Sequence, residues 1–104
     1  MWSAQSDDGK VVVTLWSDLF ADVDRRVYDV TGRPTGTWVD RPENRRRIEH
    51  LKHAQSSSDG VFNSIIVTRA DRTFARISSV EIGPRMRLVK LDKHGRFRAE
   101  RVAK

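Results

Sequence analysis

Hydrophobic and polar positions divide the chain into short segments of two kinds. Residues 1–9 are polar and end at Asp8-Gly9, a turn signal, so a loose leader is expected there and a single domain over 10–104. "KVVVTLW" (10–16) is β-branched on both faces, the pattern of a strand covered on both sides. "SDLFADV" follows as a turn that Ser17 and Asp18 can cap, and "RRVYDV" reads as a second strand. Two glycines and a proline make "TGRPTG" a loop.

The period then changes. "DRPENRRRIEHLKHA" (40–54) predicts a helix, with Asp40 as N-cap, Pro42 in the first turn and Glu43 three residues after the cap, as a capping box requires. Ile48, Leu51 and Ala54 recur at helical spacing and form the expected buried stripe. Arg46 lies nearly opposite Ile48, with Arg45 and Arg47 on the flanks. "QSSSDG" ends the helix. Four further strands, "VFNSIIVTR", "TFARISSVEI", "RMRLVKL" and "RFRAERV", are separated by Ala70-Asp71-Arg72, Gly83-Pro84 and "DKHG". The expected fold class is α+β: a small bent antiparallel sheet or partly closed β-barrel with one main helix.

In the last hairpin, a four-residue loop at 92–95 sets Leu91 opposite Arg96 and Val89 opposite Arg98. Met86, Leu88, Phe97 and Ala99 then share a core face. Arg85, Arg87, Arg96 and Arg98 share the other, a basic ribbon on which Val89, Leu91 and Val102 also fall.

Charge sharpens this picture. The 104 residues hold 20 Lys plus Arg against 14 Asp plus Glu, a net of +6 that favours a polyanionic partner. Residues 1–40 carry four bases and seven acids, net −3, whereas 41–104 carry sixteen bases and seven acids, net +9. Most of those bases are arginines, whose fork binds two acceptors of a phosphate or base edge at once; arginine enrichment can equally reflect codon usage. With no cysteine, disulfides, zinc thiolates and thiol nucleophiles are excluded. No apolar run approaches a membrane span and no signal-peptide pattern opens the chain, so a cytoplasmic protein with no membrane partner is the expectation.

Candidate chemistry points to binding rather than catalysis. No spacing announces a nucleophile, a base and an orienting group, so no catalytic residue and no cofactor are expected. His50 and His53 stand at i and i+3 but lack a third ligand, so no metal site is expected, and His94 falls in a turn. Trp16, Phe20, Tyr28 and Trp38 cluster in the first half. Trp16 beside Ser17 and Asp18 offers an apolar plane with a hydroxyl and a carboxylate, a mix suited to a planar heterocycle; the same tryptophan can instead plug the core and Asp18 cap a turn. Three consecutive arginines near a helix N-terminus oppose its dipole, a cost that a bound phosphate relieves. Arg45–Glu49 and Glu43–Arg47 pairs are the alternative.

The order of "VVVTLWSDLF", "GTWVDRP", "ENRRRIEHL", "DGVFNSIIV" and "FARISSVEI" resembles the PUA-like superfamily, in particular its SRA- and EVE-type domains, over about residues 10–91. The resemblance implies a β-barrel that reads a modified base, commonly 5-methylcytosine flipped out of duplex DNA, of the kind that accompanies modification-dependent restriction. By position it places Trp16, Ser17, Asp18, Tyr28 and Trp38 around the base. It places Asn44, Arg45, Arg46 and Arg47 on flanking phosphates, with Arg85, Arg87, Arg96 and Arg98 as further backbone contacts. An RNA-binding PUA-like module and a protein-interaction accessory domain are the other two readings.

Overall fold

The computed structural model describes residues 2–69 and 77–102. The expected turn at 70–72 and the first four residues of the strand drawn from 73 lie outside the described residues. Among the described residues, seven strands and one helix follow in the order β1 (Ser3–Gln5), β2 (Val11–Trp16), β3 (Val27–Asp29), α1 (Pro42–Ser57), β4 (Val61–Arg69), β5 (Ile77–Ile82), β6 (Met86–Leu91) and β7 (Phe97–Arg101), with short 3₁₀ turns at Ser17–Leu19 and Thr37–Asp40. The protein is a small α+β domain, as its pattern foretold.

The sheet runs β1-β2-β4-β6-β7-β3, with β5 also on β4. β4 pairs with β6 through Val61 and Phe62 and with β5 through Ile65 to Arg69, so its two halves have different neighbours on one side and the sheet bends there. It is not closed, and it is mixed rather than antiparallel: β2 and β4 are parallel, Val12 to Trp16 against Asn63 to Val67. The chain between them carries α1, and a helical crossover returns the chain to run alongside the first strand.

Residues 1–9 are not merely a leader. Ser3–Gln5 pairs with β2 across a turn that Ser6 and Asp8 hold by side-chain hydrogen bonds, with Gly9 at φ +86°. Three residues gave too short a pattern to read as a strand. On β2, Val11, Val13 and Leu15 are buried and the residues between are half-buried. The core lies between this face and α1, where Leu51 and Ala54 meet Val13, Leu15, Phe62, Met86 and Phe97.

The helix starts with Arg41 as N-cap and Pro42 as its first residue; Asp40 belongs to the preceding 3₁₀ turn and makes no capping box. Proline at the first helical position has the right φ and lacks a donor that would go unused. The helix also runs three residues past Ala54, because Ser56, Ser57 and Ser58 hydroxyls donate back to the His53 and Ala54 carbonyls. Its buried face is Asn44, Arg47, Leu51 and Ala54, while Ile48 is only half-buried.

In the last hairpin the pairs Leu88 with Ala99 and Arg87 with Glu100 fall in the expected register, and Met86, Leu88, Phe97 and Ala99 are buried. A bulge between Leu88 and Lys90 then shifts the pairing so that Leu91 opposes Phe97, not Arg96. The bulge brings the apolar Leu91 round to pack on the core and leaves Val89 53% exposed.

Candidate functional site

Direction along α1 organises the surface. Gly9 and Lys10, at the start of β2, share a cavity of about 680 Å³ with His53 and Ser57. Pro42 and Glu43, at the other end of the helix, share one with Trp2, whose carbonyl accepts from the Thr14 N–H in the second half of β2. α1 therefore runs against β2, and its N-terminus lies at the end of the sheet where β2 ends at Trp16 and gives way to Ser17.

That N-terminus is bracketed by one buried polar residue. Asn44, with no exposure, donates through Nδ2 to the Val39 carbonyl at 3.0 Å and to the His94 carbonyl at 2.8 Å, joining the 3₁₀ turn before the helix to the β6–β7 turn. Its Oδ1 accepts from Arg47 Nη2, which also donates to the Gly95 carbonyl. Gly95 sits at φ +91°, and a Cβ there would collide with Asn44 Oδ1.

Arg47 is itself buried. Its guanidinium lies 4.8 Å from the Trp2 ring centroid and 5.3 Å from that of Phe97, and its Nε has no hydrogen-bond partner. Burial pushes its pKa down to about 10, so at neutral pH it still carries its charge. Asn44 and Arg47, expected on phosphates, are thus structural: helical spacing places them on the Leu51–Ala54 stripe, and the carbonyls of His94 and Gly95, distant in sequence, accept from Asn44 Nδ2 and Arg47 Nη2. Arg45 and Arg46 are exposed, as is Arg41; Arg45 reaches back to the Asp40 carbonyl.

The remaining expected site residues are dispersed. Tyr28 is 2% exposed, edge-on to Phe20 and stacked on Phe97, and its hydroxyl accepts from the Trp16 N–H, so its ring offers no face to a ligand. Trp16 and Ser17 are half-buried and Asp18 is exposed. Trp16 extends from β2 on the side of the sheet away from α1, since alternate residues Val13 and Leu15 point to the helix. Trp38 is half-buried beside the helix N-terminus; Arg33 lies over its ring at 4.9 Å and its indole N–H donates to the Pro34 carbonyl.

The basic ribbon is interrupted. Arg96 pairs with Asp92 at 2.6 Å, Arg98 with Asp29 at 2.8 Å and Arg87 with Asp59 at 3.8 Å. Arg85 lines the cavity at the C-terminal end of α1, ~16 Å along the helix from Arg46 at 1.5 Å per residue.

Two of these carboxylates have a pH consequence. Hydrogen bonds from Thr31 and then Arg98 hold Asp29 below the usual carboxylate range. Asp92 is raised by burial, but donors on Arg96 and His94 outweigh that and hold it low as well. A carboxyl whose pKa is lower folded than unfolded contributes stability above its unfolded pKa of about 4 and loses it as pH falls through the folded value. Thermal melts are expected to fall in temperature from about pH 5 downward, less steeply in Asp29→Asn and Asp92→Asn than in wild type.

Sequence reasoning missed Trp2, which stands at the edge of the site. Its position in a polar leader hid it, although a lone indole in a polar stretch is itself a signal. Among the described residues there is no cluster of three or more His, Cys, Asp or Glu able to hold a metal, and no helix long and apolar enough to cross a membrane. Compared with known protein families, curated proteins and solved structures, the chain finds no match in any of the three.

Proposed function

We propose that this domain is a DNA-binding reader of a modified base, 5-methylcytosine being the first candidate, and that it works by binding without catalysis. The supporting observation is the surface at the N-terminus of α1. Arg41, Arg45 and Arg46 are exposed there, between the half-exposed indoles of Trp38, in the preceding turn, and Trp2, across the cavity. Exposed guanidinium groups near a helix N-terminus suit a phosphate backbone, and flat indoles suit an unstacked base. The PUA-like resemblance supplies the modified base; on this surface Trp38 stays as a residue that can touch it, whereas Trp16, on the side of the sheet away from α1, and the buried Tyr28 do not.

Matched duplexes with and without 5-methylcytosine, titrated across a salt series, test this. Tighter binding to the methylated duplex is expected, with log K falling as salt rises; equal affinities would remove modification reading, and a flat salt response would remove DNA binding. Arg46→Ala is expected to weaken both duplexes alike and to lower the salt slope by about one.

A second reading, a protein-interaction domain, draws on β5. Ile77, Val80 and Ile82 are 57, 63 and 94% exposed, and the irregularity opposite Thr68 and Arg69 lets Ile77 share a face with the other two. Absence of duplex binding in the salt series would leave that reading in place.

A further inference from the structure

The cavity between Trp2 and the first turns of α1 has a chemistry of its own. It measures about 290 Å³ and is lined by Trp2, Ser3, Pro42, Glu43 and Arg46. That volume falls just below the ~300–1,000 Å³ usual for small-ligand sites, a size for a single base rather than for a larger ligand. Resting on the DNA-binding reading above, we infer that this cavity receives one unpaired nucleotide of a bound strand, its base against the Trp2 indole, its phosphate on Arg46, and its exocyclic amine donating to the Glu43 carboxylate.

The wall is set before any ligand arrives. Arg47 covers the Trp2 ring from one side, and Arg47 is itself held by the Asn44 side chain and the Gly95 carbonyl, so little order remains to be imposed on the indole by binding. On the floor, Ser3 Oγ and His50 Nδ1 share a hydrogen bond of 2.7 Å. Burial, then the nearby Arg46, lower the His50 pKa, so the imidazole is neutral at pH 7 and adds no competing charge. Among the described residues, neither Glu43 nor Arg46 has a hydrogen-bond or ion-pair partner, which leaves both free for a ligand.

Their chemistry sets the preference. An ionised carboxylate only accepts, so it favours the N4 amine of cytosine; thymine offers its N3–H as a donor, but the O2 and O4 carbonyls on either side of it repel the carboxylate. Methylation at the cytosine 5-position leaves that amine in place. The site therefore reads an amino-bearing base edge, a selectivity separate from recognition of the methyl group.

The test uses the full chain and short duplexes that carry one unpaired cytosine, one unpaired thymine, or no unpaired base, followed by fluorescence anisotropy at fixed salt. Wild type is expected to bind the unpaired-cytosine duplex roughly tenfold more tightly than the unpaired-thymine one, in the range of one good base contact. Glu43→Gln, at an exposed position that will not perturb folding, is expected to level the two, because an amide both donates and accepts. Trp2→Leu is expected to weaken the cytosine duplex by roughly tenfold, the loss of one base–aromatic stack. Binding that ignores the unpaired base and both substitutions would overturn this site while leaving DNA binding intact. No binding to any duplex would overturn both.

Discussion

Asn44→Ala is expected to destabilise the fold by about 3–5 kcal/mol, the sum of several buried groups left without partners at ~1–3 kcal/mol each, reduced by some relaxation. The substitution removes both donors that satisfy the Val39 and His94 carbonyls and the acceptor that holds Arg47. Small domains are stable by only ~5–15 kcal/mol in total, so this is a large fraction. At ~4–8 °C per kcal/mol, the melting temperature should fall by at least about 12 °C. Gly95→Ala reaches the same bracket from the other side, through a strained positive φ and a collision with Asn44 Oδ1. Because the two defects share a contact, the double substitution should cost less than the sum of the single ones in urea unfolding. A melting temperature for Asn44→Ala within a few degrees of wild type would show that the helix and the β6–β7 turn are held together by something else.

Arg47→Ala and Arg47→Met are expected to part company. Alanine removes the stem that fills the space between Trp2 and Phe97 and should cost about 3 kcal/mol, as a large-to-small change in a core does. Methionine keeps most of that stem and removes a buried charge that, among the described residues, faces no carboxylate. Its lost hydrogen bonds to Asn44 and Gly95 are then offset by the desolvation no longer incurred, and stability should stay within about 1.5 kcal/mol of wild type. Equal destabilisation by the two substitutions in thermal and urea melts would mean that the charge, not the stem, matters. DNA affinity offers an independent reading: Arg47→Met should leave the salt slope unchanged, because its guanidinium does not face a phosphate, in contrast to Arg46→Ala.

The run Arg45-Arg46-Arg47 illustrates how much of the site could be read in the sequence. Its place near a helix N-terminus was legible, from Pro42 and the spacing of Leu51 and Ala54. Which arginine turns inward was legible only in part, since Arg47 shares the stripe with Leu51 by periodicity, yet burying a guanidinium is acceptable only once particular acceptors and rings surround it. Those partners are 48 residues away at Gly95 and 45 or more away at Trp2 and Phe97. Tyr28 shows the same limit. A tyrosine within an aromatic cluster suits a pocket or a core equally well, and its stacking on Phe97 decides for the core. Trp2 fails in the opposite direction: a three-residue strand carries no period, so nothing local marked residues 3–5 as part of the sheet.

By itself the sequence determined what depends on short spacings and totals: a helix over the forties and fifties, the later strands, the inward set Met86, Leu88, Phe97 and Ala99, the lack of thiol chemistry, and a basic C-terminal part. Tertiary structure decided what depends on partners far along the chain. It made β2 and β4 parallel, drew the first residues into the sheet, neutralised Arg96 and Arg98 with Asp92 and Asp29, and left Arg41, Arg45 and Arg46 at the start of α1 facing solvent while it buried Arg47. The physical reason is that local periodicity orients a side chain, whereas the free energy of burying a polar or aromatic group is set by the acceptors, charges and rings it meets after the chain has closed on itself.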